Sequence, residues 1–371
     1  MNLIKKLLVL SLFFSSIVYS RILYQPLQTT RSLGMGGTNV SFVRGVDALF
    51  LNPAALARVD GYAFTIGEVQ ASYSTNATWL VNQFNNAGAA LTLADIMQLS
   101  NTTYFADLSS KTGMVFPYFG IGAYSAGYDT LTFGSALSPT FHSDFVSDYG
   151  ITMAGAIPLG QNVSIGLAAR SLKRWADDQD ISVLNLVGGN TVSVIEAANP
   201  DKGTGVAMDL SFLATFGGDL NPSLGIVWKD VGHTRFAPTA GVGPNDQDDL
   251  LILGASIQHP FAFGSWTHAI EYKYINLNGE DFSKKISIGT EASFGIIDLR
   301  AGIYQGRITY GAAFDISFIR AEAAAYSTEL GSKAGQSTND RYQASISINL
   351  DFDQAFKMAK DGKKRRLMQR R

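Results

Sequence analysis

Ser345-Ile346-Ser347-Ile348-Asn349-Leu350-Asp351-Phe352 alternates polar and apolar residues without a break. Successive side chains of an extended chain point to opposite faces, so this run makes a strand with one oily and one polar side. The pattern recurs upstream. From Ile308, the residues Tyr310, Phe314, Ile316 and Phe318 stand against Thr309, Gly311, Asp315 and Ser317. From Ile286, the residues Ile288, Ala292 and Phe294 stand against Ser287, Gly289, Glu291 and Ser293. A soluble sandwich would fill its wetted face with charge. Here that face is mostly Gly, Ser, Thr and Ala, which suits a crowded lumen with lipid on the other side.

The chain therefore reads as all-β, a transmembrane antiparallel β-barrel of about 14 strands. The expected strands are 61–74, 113–126, 128–137, 143–157, 161–175, 203–216, 220–232, 248–259, 265–277, 283–294, 297–305, 307–317, 318–329 and 340–352. The second and third are divided by a turn placed near Gly127. An even count is what single-chain bacterial barrels require. Long connections (75–112, 176–202, 233–247, 330–339) follow odd-numbered strands, and short ones (158–162, 217–221) follow even-numbered strands. Outer-membrane barrels have short periplasmic turns and long outer loops, so both termini are expected in the periplasm.

Composition bounds the chemistry. Of 371 residues, 16% are charged, below the ~25% usual in soluble proteins, and the net charge is -2. That balance gives no argument for nucleic acid. With no cysteine, disulfides and thiolate metal sites are excluded. Lys5 and Lys6 precede the apolar run Leu7–Val18, followed by Val18-Tyr19-Ser20, the three-part form of a signal peptide over 1–20. The run is too short to span a bilayer as a helix, and no cysteine follows it to carry a lipid. In the first long loop, Leu91, Leu93, Ile96, Met97 and Leu99 predict a short amphipathic helix over 89–99, either lining an entry groove or packing on the rim. The tail 353–371 is basic, with Lys363-Lys364-Arg365-Arg366 and Arg370-Arg371, and reads as a solvated periplasmic end or a contact for anionic lipid.

Between leader and first strand lies a segment without alternation. It runs from Arg31 through Gly34-Met35-Gly36-Gly37 and Asp47-Ala48 to Asn52-Pro53-Ala54. Glycine permits tight backbone paths, and Asn52-Pro53 reads as a turn. No strand-turn-helix unit surrounds the glycines, so they are no dinucleotide fingerprint. This pattern resembles the start of FadL-like outer-membrane proteins, a group of hydrophobic-compound transporters with PorV-type relatives in secretion systems. Leu299-Arg300-Ala301-Gly302-Ile303-Tyr304-Gln305-Gly306, Arg320–Tyr326 and Glu329-Leu330-Gly331 resemble closing strands of the same group. The resemblance implies domains of 1–20 (leader), 21–60 (hatch inside the lumen), 61–352 (barrel) and 353–371 (tail). It implies hatch or gating roles for Gly34, Gly36, Gly37, Asn52, Pro53 and Ala54.

Signals for an enzyme are thin. His142, His233, His259 and His268 show no metal-ligand spacing, and His142-Ser143-Asp144 is adjacency without triad geometry. No catalytic residue, cofactor or metal is expected. Strand parity instead places charges inward: Arg170, Lys229, Lys273, Arg300 and Arg320 against Asp209, Glu271, Glu291, Asp315 and Glu322. Balanced signs argue against an ion-selective open pore and for pairs that hold a plug or knit the wall.

Two functions follow from the resemblance. One is passive passage of a hydrophobic or amphipathic small molecule through a plugged barrel in the outer membrane of a Gram-negative-type bacterium. The other is a PorV-like scaffold that binds an exported protein and transports nothing. The expected partners are outer-membrane lipid, with a hydrophobic ligand or an exported protein, and no nucleic acid.

Overall fold

The computed structural model describes residues 25, 27–77, 97–134, 140–182 and 201–353. The leader, most of the 89–99 helix and the basic tail lie outside the described residues. Within them, the extended elements are β1 (Gly61–Ser74), β2 (Thr103–Phe116), β3 (Phe119–Phe133), β4 (Thr140–Pro158), β5 (Val163–Ser182), β6 (Asp201–Thr215), β7 (Ser223–Lys229) and β8 (Phe236–Ala240). They continue as β9 (Leu250–Phe261), β10 (Gly264–Tyr272), β11 (Ile286–Ser293), β12 (Ile297–Tyr304), β13 (Arg307–Ile316), β14 (Ile319–Glu329) and β15 (Thr338–Asp353).

All pairings are antiparallel, and two of them close the sheet. β15 pairs with β1, and β5 pairs with β6. β8 is not an extra stave: it pairs with Lys202–Gly205 of β6, while β7 pairs with Leu210–Thr215 of the same strand. The wall thus has 14 positions and closes on itself, which pairs backbone groups that lipid would otherwise penalise. One end of the ring carries short connections, such as 117–118, 262–263 and 317–318; the other carries the long loops. These are called the turn end and the loop end below.

Alternation sets the two faces. Outward residues such as Ile288 (43% exposed) and Ile303 (41%) are open, while their inward neighbours Ser287 and Tyr304 are buried. At the turn end the outward side chains become aromatic. Phe64 meets Phe116 and Phe352 at 6.2 and 5.8 Å, and Phe261 meets Phe294 at 5.6 Å. Tyr73–Tyr342 and Tyr149–Trp175 lie toward the loop end. An apolar band between aromatic girdles is the surface of a wall that sits in a bilayer. Among the described residues no helix is long and apolar enough to cross a membrane.

The expected turn near Gly127 is not there. Gly127 lies inside β3, opposite Leu108 of β2 and Ser147 of β4. The chain reverses instead at Pro117-Tyr118, where Tyr118 adopts a φ of 72° and Phe116 pairs with Phe119. Proline brings a fixed φ and no N–H to the corner, a stronger turn signal than one glycine. β2 therefore begins at Thr103, and the strand expected over 113–126 is really the corner and halves of two strands. β5 also continues past the expected end at 175 to Ser182, pairing with β4 throughout.

The N-terminal segment folds against the inside of this wall. Helix α1 (Thr30–Gly34) is capped by Thr29, whose side chain accepts from the Ser32 N–H. Helix α2 (Ala48–Leu51) leads through Asn52 into a 3-10 turn, Pro53–Arg58, with proline at its start where a missing N–H costs nothing. Leu49, Leu51 and Leu56 are fully or almost fully buried in a cluster with Val115, Tyr124, Ala168 and Leu213 of the wall. Truncating one such leucine to alanine costs about 2–5 kcal/mol.

Candidate functional site

Wall side chains from all round the ring reach the backbone of the N-terminal segment. Glu271 of β10 accepts from the N–H groups of Asn39 and Val40 at 2.5 and 2.6 Å. Lys273, just beyond β10, donates to the Gly37 carbonyl, and Lys229 of β7 donates to Phe50 O at 2.7 Å. Thr309 of β13 accepts from Gly36 N (3.0 Å) and donates to Gly34 O (3.3 Å). Across the ring, Ser211 of β6 accepts from Ala54 N at 2.9 Å, and Ser164 of β5 donates to Ala54 O at 2.9 Å. Gln70 of β1 and Gln343 of β15 both donate to Gln28 O. A segment of little regular structure leaves backbone groups unpaired, and each would be costly if buried without a partner. The wall supplies those partners.

The six residues expected to shape the segment occupy distinct places. Gly36 has a φ of 66°, and a Cβ there would run into the carbonyl of Ile288 and lie 2.6 Å from that of Ile303. Only glycine fits both conditions. A Cβ on Gly37 would come within 2.7 Å of the Tyr304 ring, and one on Gly34 within 3.2 Å of Gly311 Cα. Facing them, Gly289 and Gly302 of the wall let the Met35-Gly36 backbone pass. Asn52 is fully buried: its Nδ2 donates to Val40 O at 2.6 Å and its Oδ1 accepts from Ala54 N at 3.1 Å. It ties the two halves of the segment together. Pro53 and Ala54 press on β5 so closely that a Cβ on Gly166 would strike Ala54 N.

The ten inward charges fall into separate groups. Arg300 of β12 donates to Glu291 of β11 (2.7 Å) and Glu322 of β14 (3.0 Å). Arg320 reaches Glu322 (2.6 Å), Asp298 (2.7 Å) and Asp315. Arg31 of the segment joins this network by two bonds to Glu291, and its guanidinium lies 5.0 Å from the centre of the Phe42 ring. Arg170 pairs with Asp209 and Asp230 at 2.9 and 2.8 Å. Glu271 and Lys273 lie 3.7 Å apart, each also bonded to segment backbone. So part of the set knits the wall and part holds the segment.

Sequence parity alone missed Asp298, Asp230, Lys111, Glu68, Asp148 and Arg174. Lys111 of β2 grips Asp47 of the segment at 2.7 Å and Glu68 of β1 at 3.0 Å. It was hidden by the misplaced second strand. Arg174 pairs with Asp148 through two bonds of 2.7 Å, and shares the parity of Arg170 four residues away. In the segment itself, burial and then the like charge of Arg31 bring the Arg44 guanidinium down to about 10. Burial and then Arg44 do the same to Arg58.

Two cavities open at opposite ends of the barrel, and the segment lines the first of them. One of about 120 Å³ opens at the turn end among Arg31, Asp47, Glu68, Asp315, Arg320 and Asp351. The other, roughly 840 Å³, opens at the loop end among β3, β4, β5 and the approach to β9. They share no lining residue. Met97 is exposed beside the loops and Leu99 is fully buried, the described part of the helix expected over 89–99.

The histidines form no metal centre among the described residues. His259 and His268 stack at 5.7 Å on the outward face, with Trp266 5.6 Å from His268. His142 bonds Asp180 at 3.0 Å, and strand alternation turns Ser143 to the other face, so His142-Ser143-Asp144 is no triad.

No family model matches the chain, and no curated protein matches it in sequence. Solved structures match in shape. CymD, a monoaromatic hydrocarbon channel, aligns with a TM-score of 0.52 at 13% identity, over 87% of this chain and 97% of its own. The toluene transporter TodX of P. putida aligns with a TM-score of 0.52 at 14% identity, over 86% of this chain and 97% of its own. TbuX, the toluene transporter of Ralstonia pickettii, gives 0.52 at 14%, over 91% and 99%. The likeness is one of fold: the chain folds as the same kind of closed antiparallel β-barrel as these proteins.

Proposed function

We propose that the protein is a passive outer-membrane channel for hydrophobic or amphipathic small molecules, with residues 31–57 as its hatch and both termini in the periplasm. The observation that carries the reading is the N-terminal segment inside the wall, bonded to strands on opposite sides of the ring, with cavities at the turn end and the loop end that share no lining residue. Among structures of the same fold are a monoaromatic hydrocarbon channel and a toluene transporter, which supports the substrate class. A ligand enters at the loop end, and passage requires the segment to shift. The bonds to be exchanged are polar and local, such as Lys229 to Phe50 O and Lys273 to Gly37 O, and water entering behind the ligand can replace them. No energy source and no catalytic group is needed.

A second reading, the PorV-like scaffold, is favoured by the closeness of segment and wall at Gly36, Gly166 and Gly302. There the lumen stays sealed and the outer loops bind an exported protein. Flux of toluene into proteoliposomes separates the two. The channel reading expects toluene flux above empty vesicles, raised further by deleting residues 31–57; the scaffold reading expects none from the full-length protein.

A further inference from the structure

The loop end of the ring is not level. β4 and β5 run for 19 and 20 residues, whereas β11 and β12 run for 8. At ~3.3 Å per residue, the difference lengthens the tall side by roughly 36–40 Å along the strands. Its inner face is acidic. Across the β4–β5 register Asp148 opposes Arg174, Asp144 opposes Asp178, and His142 opposes Asp180. These residues border the 840 Å³ cavity, whose far rim carries Leu250, Tyr274, Leu277 and Leu330.

The cations present are already engaged. Arg174 is committed to Asp148 by two bonds and to Gln247 by a third at 2.9 Å. His142 sits 3.0 Å from Asp180 and 3.5 Å from Asp178. Asp144 meets the Tyr128 hydroxyl at 3.4 Å, and Asp246 and Asp248 bring further negative charge to the same mouth. Among the described residues no lysine lines the cavity. Thr130, 2% exposed and part of the lining, has a hydroxyl with no hydrogen-bond partner.

We infer that this vestibule binds an amphipathic organic cation, its ammonium-type head against the β4–β5 aspartates and its apolar body against Tyr274, Leu277 and Leu330. A cleft lined by one sign of charge concentrates the opposite sign and repels its own. Carboxylates are thereby disfavoured, while an apolar rim rewards a ligand that carries more than charge. A bare divalent ion fits less well, because it needs several oxygens converging within 2.3–2.6 Å and no described group of carboxylates converges so. The inference rests on the channel reading, whose substrate class it narrows.

The test uses the full-length protein in nanodiscs with three probes of one size: benzyltrimethylammonium, benzyl alcohol and phenylacetate. Calorimetric titration should show the cation binding, phenylacetate failing to compete, and affinity falling as salt is added. The double variant D144N/D178N, checked for folding by heat-modifiable mobility, should weaken cation binding about tenfold. Equal binding of phenylacetate, or unchanged affinity in the variant, overturns the inference. So does binding of Ca²⁺ without the organic cation. Flux of benzyl alcohol into proteoliposomes is measured alongside. Its absence with cation binding intact removes the channel reading alone; its presence without charge preference removes the cation site alone.

Discussion

Arg31 of the N-terminal segment clasps Glu291 of the wall through two parallel bonds, Nε to Oε2 at 3.0 Å and Nη2 to Oε1 at 2.6 Å. Glu291 is 3% exposed and also accepts from Arg300, so one buried carboxylate serves a partner on the segment and another on the wall. The two ends of the clasp should therefore respond unequally to mutation. Arg31→Ala leaves Glu291 neutralised by Arg300 and should cost about 1.5–3 kcal/mol, mostly in holding the segment. Glu291→Gln leaves two buried guanidiniums facing each other and should destabilise the barrel itself by about 3–5 kcal/mol. The temperature of the heat-modifiable gel shift reads this: a small fall for R31A, a larger one for E291Q. The reverse order would show that the segment does not rely on the clasp.

The corner at Pro117-Tyr118 sets a register that can be checked by cross-linking. Ser110 of β2 lies directly opposite Ser125 of β3. Directly opposed residues have Cβ atoms near the separation a disulfide needs. In this cysteine-free chain, S110C/S125C should close on mild oxidation with no background to subtract. A turn at Gly127 would leave Ser110 in a loop and the pair open.

That corner marks where the sequence is readable and where it is not. Alternation over β10 to β15 is long and uninterrupted, because those strands carry bulky outward side chains and small inward ones. Their ends come out within a few residues. Between 100 and 135 the signal fails for a physical reason: Gly113, Gly120 and Gly122 are wall positions where Val46, Leu49 and Phe50 of the segment press close. Glycine there makes room rather than a turn, and a single chain read by period cannot tell the two apart. The same limit applies to the site. Parity finds the inward charges, but which of them meet depends on ring neighbours far apart in sequence, such as Arg31 with Glu291 or Lys229 with Phe50. The acidic run Asp177-Asp178-Gln179-Asp180 reads as loop from composition, yet it pairs with β4 and lines a cavity.

Closure depends on β15, which pairs with β1 on one side and β14 on the other. Phe352 stands opposite Tyr62 and 42% exposed, among the aromatic residues of the turn end. Removing residues 354–371 should leave a folded barrel that keeps its heat-modifiable mobility. Removing 346–371 takes half of the closing ladder and should abolish membrane assembly. If the shorter truncation alone prevents assembly, the strand does not end where the register places it.

Gly36 gives the sharpest test of the hatch. It combines a φ of 66° with a wall so near that any Cβ meets the carbonyls of Ile288 and Ile303. Gly36→Leu must move the segment, because those carbonyls belong to ladder hydrogen bonds of the barrel and cannot yield. Overpacking costs about 1–3 kcal/mol, and the left-handed backbone adds strain for a branched side chain. The barrel should still assemble, since its ladder makes no use of the segment. Small-solute permeability in a liposome swelling assay should rise, and should rise further on deleting 31–57. Gly45→Ala serves as the control: its φ is also positive, at 61°, but nothing lies within 4 Å of the added Cβ. It should carry the backbone strain without the displacement and leave permeability close to that of the unmodified protein. Permeability that is unchanged on deleting the whole segment, with the barrel intact, would mean the segment does not occlude the lumen, and the scaffold reading would take its place.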